Sequence, residues 1–235
     1  MSVTTRIVDY VQDGETYEGF LAMPAGTPKA VILVAHAWGG QSDFEQDKAK
    51  LLAEWGYAGF AVDVYGKGKR GGTTEECQAL MEPLAGNRPL LQSRLAHALG
   101  VAKSESGAGR AGAIGFCFGG LSVLDMARAG MAVEGVVSFH GLLGGAENTE
   151  DNKISAKVLA LHGWDDPMAT PDDVMDFSKE MTKAGADWQL HAYGATLHAF
   201  TNPAAQDPDF GTQYKAEADR RSFAACQDFL AELFG

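Results

Sequence analysis

Two segments near the start alternate apolar and polar residues with a period of two, Arg6–Val11 and Thr16–Leu21, and Asp13-Gly14 lies between them. That dipeptide is a hairpin turn signal, so the segments predict an antiparallel pair. Farther on, the period changes. Ala30–His36 is a continuous apolar run that stops at Trp38-Gly39-Gly40, which predicts a strand buried on both faces. Phe44, Leu51, Leu52 and Trp55 fall on one side of a helix over Phe44–Trp55, and Tyr57–Tyr65 reads as the next strand. A polar, glycine-rich stretch, Gly66–Thr74, leads into helical patterns over Glu75–Leu84 and Leu90–Lys103. The alternation then continues: strand Ala111–Phe116 with helix Cys117–Ala129, strand Gly135–Phe139, strand Lys157–His162 with helix Pro171–Ala184, strand Trp188–Tyr193, and a closing amphipathic helix over Tyr214–Phe234.

Short apolar strands alternating with helices specify an α/β fold, a mostly parallel sheet flanked by helices on both faces. The initial hairpin adds antiparallel strands at one edge. There is no internal repeat, low-complexity segment or linker, so residues 1–235 are expected to form a single domain. A chain of 235 residues can bury roughly 70% or more of the surface it exposes when unfolded. Glycine is abundant, 29 of 235 residues, against a usual ~7%, which suits many tight strand-to-helix turns.

Lys and Arg number 19 and Asp and Glu 31, giving a net charge of −12. Such a field repels phosphate backbones and anionic lipid, which argues against nucleic-acid or membrane partners. The three cysteines, Cys77, Cys117 and Cys226, form no CxxC pair, so neither a disulfide framework nor a zinc ribbon is expected. The opening MSVTTRIVDYVQDG has no apolar core of the signal-peptide kind, and a cytoplasmic protein is expected.

Gly115-Phe116-Cys117-Phe118-Gly119 places a cysteine between two glycines, directly after a strand and at the start of a helix. This is the nucleophile-elbow pattern with sulfur in place of the serine oxygen. Glycine is needed two positions away on either side because larger residues would collide with the neighbouring strand and helix. A cysteine at a helix N-terminus also feels the positive end of the dipole, which favours thiolate. Cys77 and Cys226 lie on helical faces without such a setting and read as structural.

In this architecture an acid and then a histidine follow the nucleophile, each on a loop after a strand. The strand Lys157–His162 leads into Asp165-Asp166-Pro167, and Trp188–Tyr193 leads towards His198. His198 would take the Cys117 proton and later activate water, while a carboxylate holds its tautomer. Position alone leaves Asp165 and Asp166 in competition, with Asp166 favoured. His140 and His162 end apolar strands as near-core residues, and His97 and His191 read as surface positions. His36-Ala37-Trp38-Gly39-Gly40 occupies the place of an oxyanion loop, with the backbone N–H groups of Trp38 and Phe118 as the expected donors.

With these residues assembled, the chain resembles the dienelactone hydrolase family (carboxymethylenebutenolidases) of α/β-hydrolases. The similarity runs from the strand before His36 through Gly115–Gly120, His162–Pro167 and His198-Ala199-Phe200. The resemblance implies an α/β-hydrolase fold with an eight-stranded sheet and a triad of Cys117, Asp166 and His198. Two departures concern substrate. Family members acting on dienelactone carry a glutamate beside the oxyanion donor, where this chain has Ala37. They also bind the substrate carboxylate with two arginines; the matching positions here are Asn202 and Lys67, and Lys67 lacks the two-pronged geometry.

An ordinary alkoxide competes poorly with thiolate as leaving group, so a cysteine nucleophile suits esters with an enol, phenol or thiol to expel. The expected function is therefore hydrolysis of an activated carboxylic ester or enol lactone through a thioester acyl-enzyme, without cofactor or metal. A general carboxylesterase or thioesterase, and a non-enzymatic binding protein on this fold, are the alternatives; a metal site from His36, His140, His162 and aspartates lacks ligand spacing. Trp38, Phe118, Trp164, Met168 and Phe200 are candidate pocket walls, and Lys67, Lys69 and Arg70 candidate partners for a substrate carboxylate. Lys67, Trp164 and Phe200 are the expected substrate-binding residues. The partner is a small ester or lactone, and the protein a monomer or small homo-oligomer.

Overall fold

The computed structural model describes residues 2–235; Met1, the first residue of the expected single domain, lies outside them. Strands β1 (Thr4–Gln12) and β2 (Glu15–Met23) form the expected hairpin. Asp13 and Gly14 both have positive φ, 52° and 80°, the requirement of a tight two-residue turn. The remaining long strands are β3 (Val31–Ala35), β4 (Ala58–Ala61), β5 (Ala111–Phe116), β6 (Gly135–Phe139), β7 (Lys157–Gly163) and β8 (Trp188–Tyr193). The helices are α1 (Asp43–Glu54), α2 (Thr74–Ala85), α3 (Arg88–Ser106), α4 (Phe118–Arg128), α5 (Pro171–Ala184) and α6 (Ala216–Phe234).

The eight strands make one sheet in the order β1-β2-β4-β3-β5-β6-β7-β8. β1 and β2 run antiparallel, and β3 to β8 pair in parallel. The apolar runs divide with period two. Val31, Leu33 and Ala35 face a core that also receives α2, α3, α4 and α5, whereas Ile32 and Val34 face one closed by α1 and α6. A strand covered on both faces has no solvent side to mark with polar residues.

β4 is shorter than the predicted Tyr57–Tyr65. Asp63, almost fully buried, ends it by drawing the N–H groups of Tyr65 and Gly66 onto its Oδ1 (both 3.0 Å) and that of Glu18 onto Oδ2 (3.2 Å). A carboxylate that gathers backbone donors turns the chain out of the sheet. A second hairpin, β9 (Gln206–Asp207) with β10 (Thr212–Gln213), was not expected; two polar residues per strand carry no periodic signal.

Helix α4 is buried along its whole length, charges included. Arg128 holds both carboxylate oxygens of Glu180 at 2.7 Å and the Leu143 carbonyl at 2.7 Å, while Arg88 grips Asp125 at 2.5 and 2.6 Å. These pairs hold the loop after β6 against the helix.

α1 lies directly on β4 because Gly59 has no side chain: a Cβ there would fall 2.2 Å from the Ala49 carbonyl oxygen. Gly59→Ala is expected to destabilise the fold by about 3 kcal/mol, lowering the midpoint of urea unfolding. Gly100, within α3, meets nothing within 4 Å, and Gly100→Ala should leave that midpoint unchanged or raise it by up to about 1 kcal/mol of added stability.

Candidate active site

Cys117 sits between β5 and α4 with φ 56° and ψ −116°, a conformation strained for any residue other than glycine. The glycines around it show why it can do so. A Cβ on Gly115 would lie 2.0 Å from the Gly119 carbonyl oxygen, and one on Gly119 2.1 Å from that of Ala35. A Cβ on Gly120 would lie 2.6 Å from Gly141 Cα. Helix and sheet touch backbone to backbone, and Cys117 is carried to the helix N-terminus, half-buried in the wall of a cavity.

His198 follows β8 and lies in the same cavity wall. Its Nδ1 is 2.7 Å from Asp166 Oδ2, and both side chains are buried. Asp166 Oδ1 accepts the Met168 N–H at 2.8 Å. Asp165 is exposed, so of the two aspartates left open by the sequence, Asp166 is the one brought to the imidazole. His198 Nε2 is buried without a hydrogen-bond partner, in a cavity wall that Cys117 shares.

Burial alone would push the Cys117 thiol up. The charge and hydrogen bond of His198, with the N–H groups of Phe118 and Trp38, outweigh it and hold the thiol below its ordinary value. For His198, burial pulls the imidazole down, but the Cys117 thiolate charge and the Asp166 hydrogen bond raise it on balance. The two shifts oppose each other and favour a thiolate–imidazolium pair. The two N–H groups that favour the thiolate are the two expected of an oxyanion hole.

The loop carrying Trp38 is tied from several sides. Val64 N–H donates to His36 Nε2 (3.4 Å), so His36 Nδ1 carries the proton it gives to the Ala37 carbonyl (2.7 Å). The Tyr65 hydroxyl donates to the Trp38 carbonyl at 2.9 Å. Glu45, buried in the first turn of α1, accepts from Ala37 N–H (3.3 Å) and from the Ser42 N–H and hydroxyl (2.9 and 2.7 Å). Glu45 escaped the sequence reading, although Ser42-Asp43-Phe44-Glu45 is a capping-box pattern and was available as a signal.

The cavity measures about 1040 Å³ and is walled by Trp38, Phe44, Met81, Leu142, Met168 and Phe210 among others. Three expected substrate-binding residues are not in its wall. Lys67 is drawn to the β1–β2 hairpin, 2.5 Å from Asp9 and 3.3 Å from Glu18. Trp164 is exposed, edge-on to His162, and the Phe200 ring is fully buried between His140 and Tyr193. Phe118 contributes its N–H while its ring packs on Tyr65. Lys69 pairs with Glu15, leaving Arg70 as the one Lys or Arg in the wall among the described residues. Cys77, expected to be structural only, also lines the cavity, as do Ala37 and Asn202. His140 packs edge-on to the His198 ring at 5.1 Å, bonded through Nε2 to the Thr201 hydroxyl, and burial keeps it neutral. Among the described residues no three His, Cys, Asp or Glu gather into a metal-holding group, and no helix is long and apolar enough to cross a membrane.

The family model described as "Dienelactone hydrolase family" matches residues 17–234. A "Putative carboxymethylenebutenolidase" of Aquifex aeolicus is 26% identical over 208 residues, 86% of this chain and 89% of its own. A solved structure named m3DLH is 30% identical with a TM-score of 0.91, covering 99% of both chains. The crystal structure of a dienelactone hydrolase-like promiscuous phosphotriesterase from metagenomic libraries is 29% identical with a TM-score of 0.94, covering 100% of both chains.

The pKa shifts make the reactivity of Cys117 depend on His198. Iodoacetamide labelling of Cys117, followed by mass spectrometry, should rise with pH through a midpoint below the ordinary thiol value. In His198→Ala the burial remains and the opposing charge is gone, so the midpoint should move up. Equal midpoints in the two proteins would refute the coupling. Cys77 and Cys226, whose thiols burial pushes up, should label more slowly throughout.

Proposed function

This chain belongs to the dienelactone hydrolase family and hydrolyses ester bonds, and we propose that it does so through Cys117, His198 and Asp166 by way of a thioester acyl-enzyme. The observation that carries this reading is the buried Asp166–His198 hydrogen bond of 2.7 Å, with the second imidazole nitrogen left for a cysteine of lowered pKa.

In the first half-reaction, the Cys117 thiolate adds to the carbonyl carbon. The developing oxyanion is received by the N–H groups of Trp38 and Phe118, and losing one such donor typically costs about 10²–10³ in rate. Collapse breaks the bond to the leaving oxygen, which takes its proton from the His198 imidazolium. In the second, neutral His198 removes a proton from water as it attacks the thioester, and collapse returns the acid and the Cys117 thiolate. Ester and water become acid and alcohol, and the proton count on the pair is restored. Asp166 keeps Nδ1 protonated and stabilises the imidazolium in both halves.

We propose an activated carboxylic ester or enol lactone as the substrate, because thiolate is expelled in preference to an ordinary alkoxide. A carboxylesterase or thioesterase without lactone preference is the second reading. It is favoured by the uncharged Ala37 and Asn202 in the cavity wall and by Arg70, whose Nε and Nη1 are already committed to the carbonyls of Gln41 and Lys69. We place the whole chain, residues 1–235, in one catalytic domain.

The test is a turnover panel of dienelactone, phenyl acetate and an acyl thioester, with a phosphotriester added because one structural relative is named for that activity. Cys117→Ala and His198→Ala should each lose on the order of 10³-fold or more in kcat while unfolding at the wild-type temperature. Asp166→Asn should lose on the order of 10²–10⁴-fold, and the exposed Asp165→Asn only about twofold. Equal losses in the two aspartate variants would remove Asp166 from its role. Preference for dienelactone would decide for the lactone reading, and preference for the thioester or simple ester for the second.

A further inference from the structure

The mouth of the cavity carries an exposed aromatic ring that the mechanism leaves unused. Phe210 is 43% exposed, yet it is part of the cavity wall and stacks on Trp38 with ring centroids 5.9 Å apart and planes 22° apart. The turn that carries Phe210 is fixed on several sides. The Phe210 N–H donates to Asp207 Oδ1 at 3.0 Å, and the Gly211 N–H to the Pro208 carbonyl at 3.0 Å. Gly211, at φ 91°, lies so close to Pro167 that a Cβ would fall 2.3 Å from its ring. Pro167 directly follows Asp166.

The same turn grips the catalytic histidine. His198 N–H donates to the Gly211 carbonyl, and Gln213 N–H donates to the His198 carbonyl, both at 3.0 Å. Phe210 is therefore built onto the segment that positions the proton donor for the leaving oxygen, while Trp38 supplies an oxyanion donor and the other half of the stack. A planar ring attached to the leaving oxygen would lie on this aromatic wall with its oxygen towards His198. Its π face gains from offset stacking, whereas a saturated group of equal acidity gains only contact area.

We propose that Phe210, with Trp38, is the specificity-determining seat for an aromatic leaving group, making aryl esters and aryl thioesters the favoured substrate class. This rests on the ester-hydrolase reading above. Phenol leaves well from any thiolate enzyme, so the comparison must hold leaving-group acidity constant. The measured quantity is kcat/KM for phenyl acetate divided by that for a fluoroalkyl acetate whose alcohol is about as acidic as phenol. In Phe210→Ala this ratio should fall about fivefold to tenfold, and in Phe210→Tyr it should stay near the wild-type value. A ratio unchanged in Phe210→Ala overturns the proposal. A second measurement needs no turnover: 2-naphthol titrated calorimetrically into Cys117→Ala should bind, and adding Phe210→Ala should weaken it by the same factor. If wild type cleaves neither ester, the hydrolase reading fails and the naphthol titration alone decides the seat. Equal naphthol affinity with and without Phe210 overturns it.

Discussion

Helix α4 can start against the sheet only because no side chain intervenes at Gly115, Gly119 and Gly120, and the reactive centre depends on that contact. A single methyl at Gly115 or Gly119 would be driven to within about 2 Å of a carbonyl oxygen. The contact bends the chain at Cys117 into a left-handed conformation, and that bend carries the sulfur to the helix N-terminus and into the cavity wall. Backbone strain is retained there because dense packing on both sides over-determines the conformation. Two more residues with positive φ, His140 and Ala199, flank the same site, so the chain is bent sharply on each side of the triad.

Polar groups then hold what packing cannot orient. Glu45, His36 and Tyr65 bond the loop that carries Trp38, which fixes the direction of the N–H proposed as an oxyanion donor. Such donors contribute to catalysis only if they need not reorganise during the reaction. Glu45 does two tasks, closing the capping box of α1 and accepting the Ala37 N–H. At the other end, the turn around Phe210 holds His198 by both its N–H and its carbonyl. Acid, base and mouth of the cavity are thus parts of one hydrogen-bonded unit.

Electrostatics within this frame is a contest between burial and pairing. Desolvation penalises a thiolate and an imidazolium separately, but Cys117 and His198 stabilise each other's charge more than burial opposes it. His140, equally buried beside them but without an opposite charge, stays neutral.

Period-two and period-3.6 patterns, the glycines at 115 and 119, and the order Cys117, Asp166, His198 were legible in the sequence because each is a local consequence of covalent geometry. β5, β6, α5 and β8 match the structure to the residue for that reason. The shortening of β4 does not show in its apolar pattern, because Asp63 ends it by gathering the N–H groups of Tyr65 and Gly66 together with that of Glu18 from another strand. Position and resemblance already favoured Asp166 over Asp165; the structure adds the physical difference, Asp166 buried against His198 and Asp165 exposed. Lys67 read as a substrate partner until the β1–β2 hairpin brought Asp9 and Glu18 to it, and Phe210 had no periodic context at all. Sequence determined which groups were available and which turns could hold them. Tertiary structure decided which charges were already paired and which rings remained open to the cavity, since both depend on residues far apart along the chain.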